Sequence, residues 1–361
     1  MRAREAIRIY EPYCWESSSE EIASKFGLRQ EQIIRFDTNS MPYIPVEWLS
    51  KLSSTLPGMR VNDYPDTYYS ALRRGLSKYV GKNMDCITVT NGADEALDIV
   101  SKTFIDPGTP IFVSTPTYSM YRVIAEIMGG KVVYVMRDEN FSDDVDALLK
   151  ASASKEGVMF LCSPNNPTGN TSLTQDIVRL LEESSCLVVV DESYYEFCGK
   201  TSVDLTSKYD NLVVVRTFSK GFCLAGARVG YIVASEEMIS SLNRVRPPNS
   251  LNVMSLALAE IALNNPDVMK KYVKRIVEER NRIVKNLNEI DGITVYPTEA
   301  NFVLVRFKKA SAKDVLEKLL KRGIVVRDVS ELPRLENCLR FAVRTSQEDD
   351  LLMEAMKYIL S

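Results

Sequence analysis

The fold is decided by two apolar runs and the polar turn that follows the first of them. The first run is Val158-Met-Phe-Leu-Cys162, the turn is Ser163-Pro-Asn-Asn-Pro-Thr-Gly169, and the second run is Leu187-Val-Val-Val190. Both runs are short and apolar, and a helical pattern separates them. This alternation is typical of βαβ units on a buried sheet, so the stretch predicts an α/β domain.

Similar runs lie on both sides of this stretch, between about residues 86 and 234. They occupy residues 87–90, 111–114, 132–135, 212–215 and 229–233. Helical patterns alternate with these runs as well. Together with the first two runs, they predict one large, mainly parallel sheet of seven strands between helices.

The pattern changes after Pro266. Apolar residues recur at helical spacing from Met269 to Ile290, which indicates a connecting helix. The following residues predict strand 301–307, helix 311–321, strands 324–329 and 339–343, and a terminal helix. The starts of the last two helices show capping-box spacing, in Ser311 with Asp314 and in Ser346 with Asp349. This part is predicted to be a smaller α+β domain.

These patterns divide the chain into three regions. An N-terminal segment, 1–50, is expected to pack with the small domain. The large domain is assigned to 51–264 and the small domain to 265–361. We expect a functional site at the carboxyl ends of the parallel strands, near the junction of the domains.

The composition excludes several kinds of chemistry. The chain has 361 residues, 45 Lys and Arg against 48 Asp and Glu, and no histidine. A Ser-His-Asp triad, a Cys-His pair and the common histidine zinc motifs are therefore impossible, and we predict no metal site. Proton transfer near neutral pH must come from another group with a shifted pKa or from a cofactor.

Other classes of partner are also disfavoured. The seven cysteines show no CxxC spacing, which favours reduced thiols and a cytoplasmic location. The N-terminus has no apolar signal core, and no run is long enough to span a membrane. Basic residues are scattered among acidic ones, so we expect no nucleic-acid partner. GxGxxG, Walker A and GxSxG motifs do not occur.

Chemically complementary residues follow the predicted strands. After strand 87–90, Gly92 opens a helix whose free N–H groups suit a phosphate. The turn after 158–162 fixes the amide of Asn166. Asp191 ends the next strand and needs solvent or a cation, because burial of an unpaired carboxylate is costly. Lys220 and Arg228 follow strand 212–215.

This order of residues resembles the fold-type-I pyridoxal-phosphate enzymes, the aspartate aminotransferase superfamily, over nearly the whole chain. The motifs are Ser163-Pro-Asn-Asn-Pro-Thr-Gly169, Asp191-Glu-Ser-Tyr194, and Ser219-Lys220 with Arg228. Within that superfamily the chain resembles the histidinol-phosphate aminotransferase family. The corresponding motifs are Tyr64-Pro-Asp66, Gly92-Ala-Asp-Glu95, Pro116-Thr-Tyr-Ser-Met-Tyr121, Arg216-Thr-Phe-Ser-Lys220, Leu224-Ala-Gly-Ala-Arg228, Asn301-Phe302, Val326-Arg-Asp328 and Cys338-Leu-Arg340.

The resemblance implies an aspartate-aminotransferase-like fold and pyridoxal 5'-phosphate as cofactor. Lys220 would form a Schiff base with the cofactor and, once released, act as general base. Asp191 would keep the pyridine nitrogen protonated. The other implied cofactor contacts are Asn166 and Tyr194 at the ring oxygen, Tyr118 on the ring face, and Gly92, Ala93, Asp94, Ser219, Arg228 and the Tyr64 of a second subunit at the phosphate. A homodimer is therefore implied.

The implied substrates are a phosphorylated amine, histidinol phosphate, and the glutamate/2-oxoglutarate pair. The implied products are imidazole acetol phosphate and glutamate. One pocket must accept both a phosphate and carboxylates, which planar arginine forks can bind. The residues that match the family's substrate contacts are Tyr13, Asn39, Asn166, Asn301, Arg327 and Arg340.

Two departures from the family pattern keep other functions open. Asn39-Ser-Met-Pro42 replaces a segment like Asn-Glu-Asn-Pro, and Arg344 replaces a common glycine. If the last strand continues, alternation places Arg344 on the same face as Arg340, in the pocket. The alternatives are a threonine-phosphate decarboxylase of cobalamin synthesis and an aromatic or general amino-acid aminotransferase. A cofactor-sensing regulator is disfavoured, because no helix-turn-helix pattern precedes the core.

Overall fold

The computed structural model describes residues 2, 4–9 and 16–361. The strands are β1 (Ile34–Arg35), β2 (Ile87–Thr90), β3 (Pro110–Thr115), β4 (Lys131–Met136), β5 (Val158–Cys162), β6 (Leu187–Asp191), β7 (Leu212–Thr217), β8 (Gly230–Val233), β9 (Ile293–Val295), β10 (Phe302–Phe307), β11 (Ile324–Val325), β12 (Arg327–Asp328) and β13 (Cys338–Ala342). The α-helices are α1 (Glu5–Ile9), α2 (Ser19–Phe26), α3 (Val46–Thr55), α4 (Ser70–Val80), α5 (Gly92–Phe104), α6 (Met120–Met128), α7 (Val145–Ser152), α8 (Thr174–Glu183), α9 (Tyr195–Cys198), α10 (Glu236–Asn243), α11 (Val253–Asn264), α12 (Pro266–Leu287), α13 (Ala312–Leu320) and α14 (Ser346–Leu360). Within these residues, no helix combines the length and apolar character that crossing a membrane requires.

The large sheet contains all of the strands predicted between residues 86 and 234. Its order is β2-β8-β7-β6-β5-β3-β4, seven strands in all. Strand β8 runs antiparallel to both of its neighbours, and the other neighbouring pairs are parallel. The predicted α/β fold with a mainly parallel seven-stranded sheet is therefore confirmed.

The central strands are buried on both faces, which explains their continuous apolar sequences. Every residue of β5 and β6 is buried. Along β5, Met159 and Leu161 contribute to the core on one side of the sheet. Val158 and Phe160 contribute to the core on the other side. A strand with helices over both faces needs apolar side chains at successive positions, so it loses the usual polar alternation.

The second sheet corrects one of the predicted strands. Its order is β12-β13-β10-β9. The strand predicted over 324–329 is not one element, because β11 pairs in parallel with β1 while β12 pairs with β13. The chain thus changes hydrogen-bonding partner within six residues, which an apolar run alone does not reveal. The domain boundaries drawn at residues 50 and 264 stay a prediction.

The starts of the last two helices test the predicted caps. Ser311 caps α13 as predicted. The cap predicted at Ser346 is wrong by one position, because Thr345 caps α14 and forms a complete capping box with Glu348. Asp349, which we expected to close that box, is fully buried instead. Its carboxylate accepts hydrogen bonds from the backbone N–H of Arg344 at 3.1 and 3.2 Å.

Candidate active site

The predicted site residues converge because four strands of the large sheet end at the same edge. Strands β2, β5, β6 and β7 run in the same direction, so their carboxyl ends lie side by side. Gly92, Asn166 and Lys220 follow the ends of β2, β5 and β7, and Asp191 is the last residue of β6. This edge is where α/β sheets usually bind ligands.

Lys220 is half-buried at this edge, just after strand β7. Its Nζ donates a hydrogen bond to the backbone oxygen of Thr38 at 3.3 Å and lies 5.7 Å from the centre of the Tyr194 ring. Burial, together with the positive charges of Arg340 and Arg228, lowers the pKa of Lys220 to about 8, against the opposing effect of the nearby carboxylates of Asp94 and Asp191. The neutral amine is therefore far more accessible near pH 7 than in an ordinary lysine.

Asp191 is a buried carboxylate, with 4% of its surface exposed. It accepts hydrogen bonds from the Tyr121 hydroxyl at 2.8 Å, the Ser193 N–H at 2.9 Å and the Ser193 hydroxyl at 2.5 Å. Burial raises the pKa of Asp191 in spite of these donors. No ion pair to Asp191 is found among residues 16–361. A cationic ligand group beside this carboxylate would supply the missing charge.

The start of α5 forms a cradle for an anion. No side chain caps this helix, so N–H groups of its first turn, including that of Ala93, remain available. Gly92 has a φ of +80°, and a Cβ there would lie 2.6 Å from Nη2 of Arg228. Arg228 donates from Nη1 to the Ser219 hydroxyl at 3.2 Å and from Nη2 to Asp94 at 3.1 Å. An arginine and helix N–H groups therefore meet where only glycine fits.

The two tyrosines of this face are fixed by hydrogen bonds to acidic residues. The Tyr118 hydroxyl donates to Asp94 at 3.2 Å, and its ring contacts Tyr121 edge-on with 5.7 Å between ring centres. The Tyr121 hydroxyl donates to Asp191. We had assigned no role to Tyr121 from the sequence. Helical spacing gave no signal for this residue, because Tyr121 lies in α6 whereas Tyr118 precedes that helix.

The two groups predicted to contact the cofactor's ring oxygen are each hydrogen-bonded within the protein. The amide oxygen of Asn166 accepts a hydrogen bond from Nη1 of Arg340 at 2.5 Å. The Tyr194 hydroxyl accepts one from Nδ2 of Asn39 at 3.1 Å. Burial raises the pKa of Tyr194 well above its ordinary value, so this phenol stays protonated. Arg340 also donates to the backbone oxygen of Asp37.

The other predicted substrate residues differ in burial and in the groups that they contact. Asn301 is fully buried, and its Nδ2 donates to the backbone oxygen of Asn39 at 3.0 Å. Arg327 is partly exposed and forms an ion pair with Glu16 at 2.9 Å. Tyr13 lies outside the described residues. Tyr64 is 87% exposed, so this single chain does not bring it into the site.

Arg344 does not follow the interpretation based on strand alternation. Strand β13 ends at Ala342, two residues earlier. The Arg344 side chain donates to Glu348 at 2.8 Å and to the backbone oxygen of Arg35 at 3.0 Å. The interpretation that placed Arg344 on the face of Arg340, in the pocket, required the strand to continue to residue 344, and this condition is not met because β13 ends at Ala342.

Residues Asp37, Thr38 and Asn39 join the site through backbone groups. Their carbonyl oxygens accept hydrogen bonds from Arg340, Lys220 and Asn301 respectively. Sequence reasoning missed this part of the site for Asp37 and Thr38. Backbone acceptors leave no signature in side-chain identity, so no motif could have revealed them.

The described residues fit pyridoxal 5'-phosphate. Asp191 is a buried acid without a cationic partner, and it suits a protonated ring nitrogen. The Gly92 cradle suits a phosphate. Lys220 is a lysine with a lowered pKa, as addition of its amine to an aldehyde requires. Each of these three features would be costly or unexplained without a ligand of this kind.

Comparison with known proteins agrees with the geometry. The family profile "Aminotransferase class I and II" matches residues 31–357. A histidinol-phosphate aminotransferase of Thermoanaerobacter sp. is 38% identical over 90% of this chain and 93% of its own. That of Methanocaldococcus jannaschii is 36% identical over 100% of this chain and 98% of its own. A similar fold is seen in the crystal structure of the Sinorhizobium meliloti histidinol-phosphate aminotransferase in complex with pyridoxal-5'-phosphate, with a TM-score of 0.89 and 23% sequence identity. The alignment covers 99% of this chain and 97% of that one. The resemblance seen in the sequence is confirmed, and the chain belongs to the class I and II aminotransferases and, within them, to the histidinol-phosphate aminotransferase family.

Proposed function

We propose that this protein transfers the amino group of histidinol phosphate to 2-oxoglutarate, giving imidazole acetol phosphate and glutamate in histidine biosynthesis. The observation that carries the proposal is the environment of Lys220, whose pKa is lowered to about 8 by burial and by Arg340 and Arg228. The same cations that keep the lysine amine available favour anionic ligands near it. The names of the curated relatives support this choice of substrate.

We propose that the described residues hold pyridoxal 5'-phosphate in a fixed orientation. The phosphate would be bound by Arg228, by Ser219, by the N–H groups at Gly92, Ala93 and Asp94, and by Tyr64 of a second subunit. Asp191 would pair with the ring nitrogen, Tyr118 would cover the ring face, and Asn166 and Tyr194 would contact the ring oxygen. When bound, the cofactor supplies an electron-withdrawing ring that stabilises the negative charge left when a proton leaves the substrate carbon.

The chain itself supplies the proton transfer. Lys220 would take the proton from the substrate carbon at Nζ, because its lowered pKa makes the neutral amine available near pH 7. The Thr38 carbonyl already accepts a hydrogen bond from this Nζ and holds the amine at the site. Asp191 would keep its negative charge once it faces a cation, and Tyr121 and Ser193 hold the carboxylate in place.

The substrate anion would be bound by arginines at the edge of the site. Arg340 is fixed through Asn166 and the Asp37 carbonyl, so its fork is oriented before substrate arrives. Arg327 would reach the substrate phosphate from the more exposed side. Asn301, Asn39 and Tyr13 complete the proposed contacts. The Glu16 carboxylate now paired with Arg327 would have to be displaced by the substrate anion.

We propose that the active unit is a homodimer in the cytoplasm. Several large apolar or aromatic side chains are exposed in this single chain: Ile44, Val46, Val61, Tyr64, Tyr68 and Met254. Exposed apolar side chains of this size favour burial against another surface. Placement of Tyr64 in the site of a second subunit would bury part of this set and complete the phosphate cradle.

A panel of amines tests the reaction. The holoenzyme, without any 2-oxo acid, is mixed with histidinol phosphate, glutamate, O-phosphothreonine or phenylalanine, and loss of the cofactor's visible absorbance is followed. We expect rapid loss with histidinol phosphate and glutamate, and loss at least about tenfold slower with the others, because their anionic groups do not match both arginines. Lys220→Ala is the control and should show no conversion.

The panel also separates the alternatives. Carbon dioxide release from O-phosphothreonine would indicate the decarboxylase, and preferred conversion of phenylalanine would indicate an aromatic aminotransferase. Conversion of either with none of histidinol phosphate would overturn the proposed substrate.

A further inference from the structure

Asn39 and the carbonyl that precedes it connect the N-terminal segment to three site residues. Its side chain is buried, with 2% of the residue exposed, and its Nδ2 donates to the Tyr194 hydroxyl at 3.1 Å. Its backbone oxygen accepts from Asn301, and the preceding carbonyl, that of Thr38, accepts from Lys220. One residue of a short loop thus contacts groups on the large and the small sheet.

The backbone of Asn39 makes this arrangement possible. Its φ is +52°, in the left-handed region that few side chains other than Asn, Asp and Gly adopt readily. In this conformation the amide side chain reaches Tyr194 while the carbonyl oxygens on both sides of the residue face Lys220 and Asn301. The position therefore selects for a small residue that tolerates positive φ, and the contact to Tyr194 selects for a hydrogen-bond donor.

The direction of the hydrogen bond determines what Tyr194 can do. A tyrosine hydroxyl carries one proton and can accept as well as donate. Because its oxygen accepts from Asn39 Nδ2, its own proton is left for a different acceptor. Burial raises the pKa of Tyr194, so the proton is retained. Tyr194 is thus held as a donor.

We propose that Asn39 is a positioning residue for the cofactor, which acts by holding the Tyr194 hydroxyl as a hydrogen-bond donor to the cofactor's ring oxygen. This inference rests on the proposed binding of pyridoxal 5'-phosphate. It gives Asn39 a role that a substrate contact alone would not give. Donation to the ring oxygen withdraws electron density from it, which lowers the pH at which the bound cofactor loses a proton and changes colour.

Two substitutions at position 39 can reverse or remove the hydrogen bond to Tyr194 while keeping a residue that tolerates positive φ. Asn39→Asp keeps the shape and tolerates positive φ, but its carboxylate can only accept, so Tyr194 must turn its proton toward residue 39. Asn39→Gly keeps the backbone and removes the side chain. Ser40→Ala is the control, because the Ser40 hydroxyl contacts only Thr38 among the hydrogen bonds of the described side chains.

The experiment is a double-mutant cycle between residues 39 and 194, read from the pH of the cofactor's colour change without any amine. Asn39→Asp is made in the wild type and in Tyr194→Phe. The second background measures the effect of the added charge alone. We expect Asn39→Asp to raise the transition pH by about one unit more in the wild type than in Tyr194→Phe, since a charge-assisted hydrogen bond is lost. Asn39→Gly should shift it the same way by less, and Ser40→Ala should not.

Two outcomes would overturn the inference. Equal shifts in the two backgrounds would mean that residue 39 does not act through Tyr194. No upward shift in Asn39→Gly would mean that the Asn39 side chain does not hold the tyrosine as a donor. If a variant loses its colour, the same cycle is measured as the affinity of the apoprotein for pyridoxal 5'-phosphate. Because no amine is present, the result is independent of the substrate panel.

Discussion

At the scale of single residues, the site depends on groups whose charge is costly until a ligand binds. Asp191 is buried, its pKa is raised by burial, and its hydrogen bonds come from the neutral groups Tyr121 and Ser193. A carboxylate in this setting gains strongly from a cation, because desolvation has already occurred. Burial of this charge lowers the stability of the protein without a ligand, but it orients the carboxylate to bind a protonated ring nitrogen.

We predict that Asp191→Asn separates these two effects. The variant should lower kcat by about 100- to 1000-fold, the loss expected when one partner of a buried charge pair is removed. Its apoprotein should unfold at the same temperature as the wild type or higher near pH 7, because a neutral amide avoids the buried charge. Steady-state kinetics and thermal unfolding of the apoprotein measure the two quantities. Turnover like that of the wild type would contradict the proposed ring-nitrogen partner.

At the scale of elements, the start of α14 shows how burial changes the use of a motif. The sequence offers two overlapping capping pairs, and the structure uses Thr345 with Glu348. Asp349 is turned inward, where its carboxylate accepts from the Arg344 backbone and lies near Glu279. Burial raises the pKa of Asp349 well above its ordinary value. The folded protein therefore favours the protonated acid.

We predict that this residue makes stability fall as pH rises. With a folded-state pKa above the unfolded one, its contribution is fully present below about pH 4 and is lost as pH rises through the raised value. In the wild type, the free energy of unfolding should fall by up to about 1.4 kcal/mol per pH unit because of this residue, and Asp349→Asn should not show this fall. The unfolding temperature of Asp349→Asn should therefore rise relative to that of the wild type as the pH increases from 5 to 9. The control is Asp314→Asn, in the exposed first turn of α13. Parallel curves for the wild type and Asp349→Asn would contradict the prediction.

At the scale of the whole molecule, a single chain leaves Tyr64 outside the site. Tyr64 is exposed and lies in a region with exposed Val61 and Tyr68. A residue that serves a neighbouring subunit must project from its own chain in this way. The proposed homodimer would therefore contain two sites, each built from both chains.

We predict that two defective variants restore activity when they are mixed. Lys220→Ala and Tyr64→Ala are unfolded and refolded together, so that subunits exchange. A hybrid dimer has one site with an intact lysine and an intact tyrosine, so the mixture should recover about a quarter of wild-type activity. Lys220→Ala mixed with Asp191→Asn is the control and should recover none, because both changes affect residues that each chain supplies to its own site. No recovery in the first mixture would show that Tyr64 serves its own chain or no site.

The sequence by itself determined the large sheet and the chemistry at its edge. Strands β2, β5, β6, β7 and β8 are buried along their whole length and need continuous apolar runs, and residues such as Gly92, Asp191 and Lys220 lie at or just after the ends of those runs. The local sequence pattern was sufficient there because each apolar run and the polar residue at its end are only a few residues apart in the chain. The order of these residues also identified the family, which the comparisons confirmed.

Only the tertiary structure decided contacts between distant parts of the chain. Four features depend on which elements pack together. They are the pairing of β11 with β1, the burial of Asp349, the position of Arg344 and the hydrogen bond from Asn39 to Tyr194. Backbone carbonyls such as that of Thr38 take part without any side-chain signature. The physical reason is that residue type fixes what a group can donate, accept or bury, whereas packing alone fixes which group it meets.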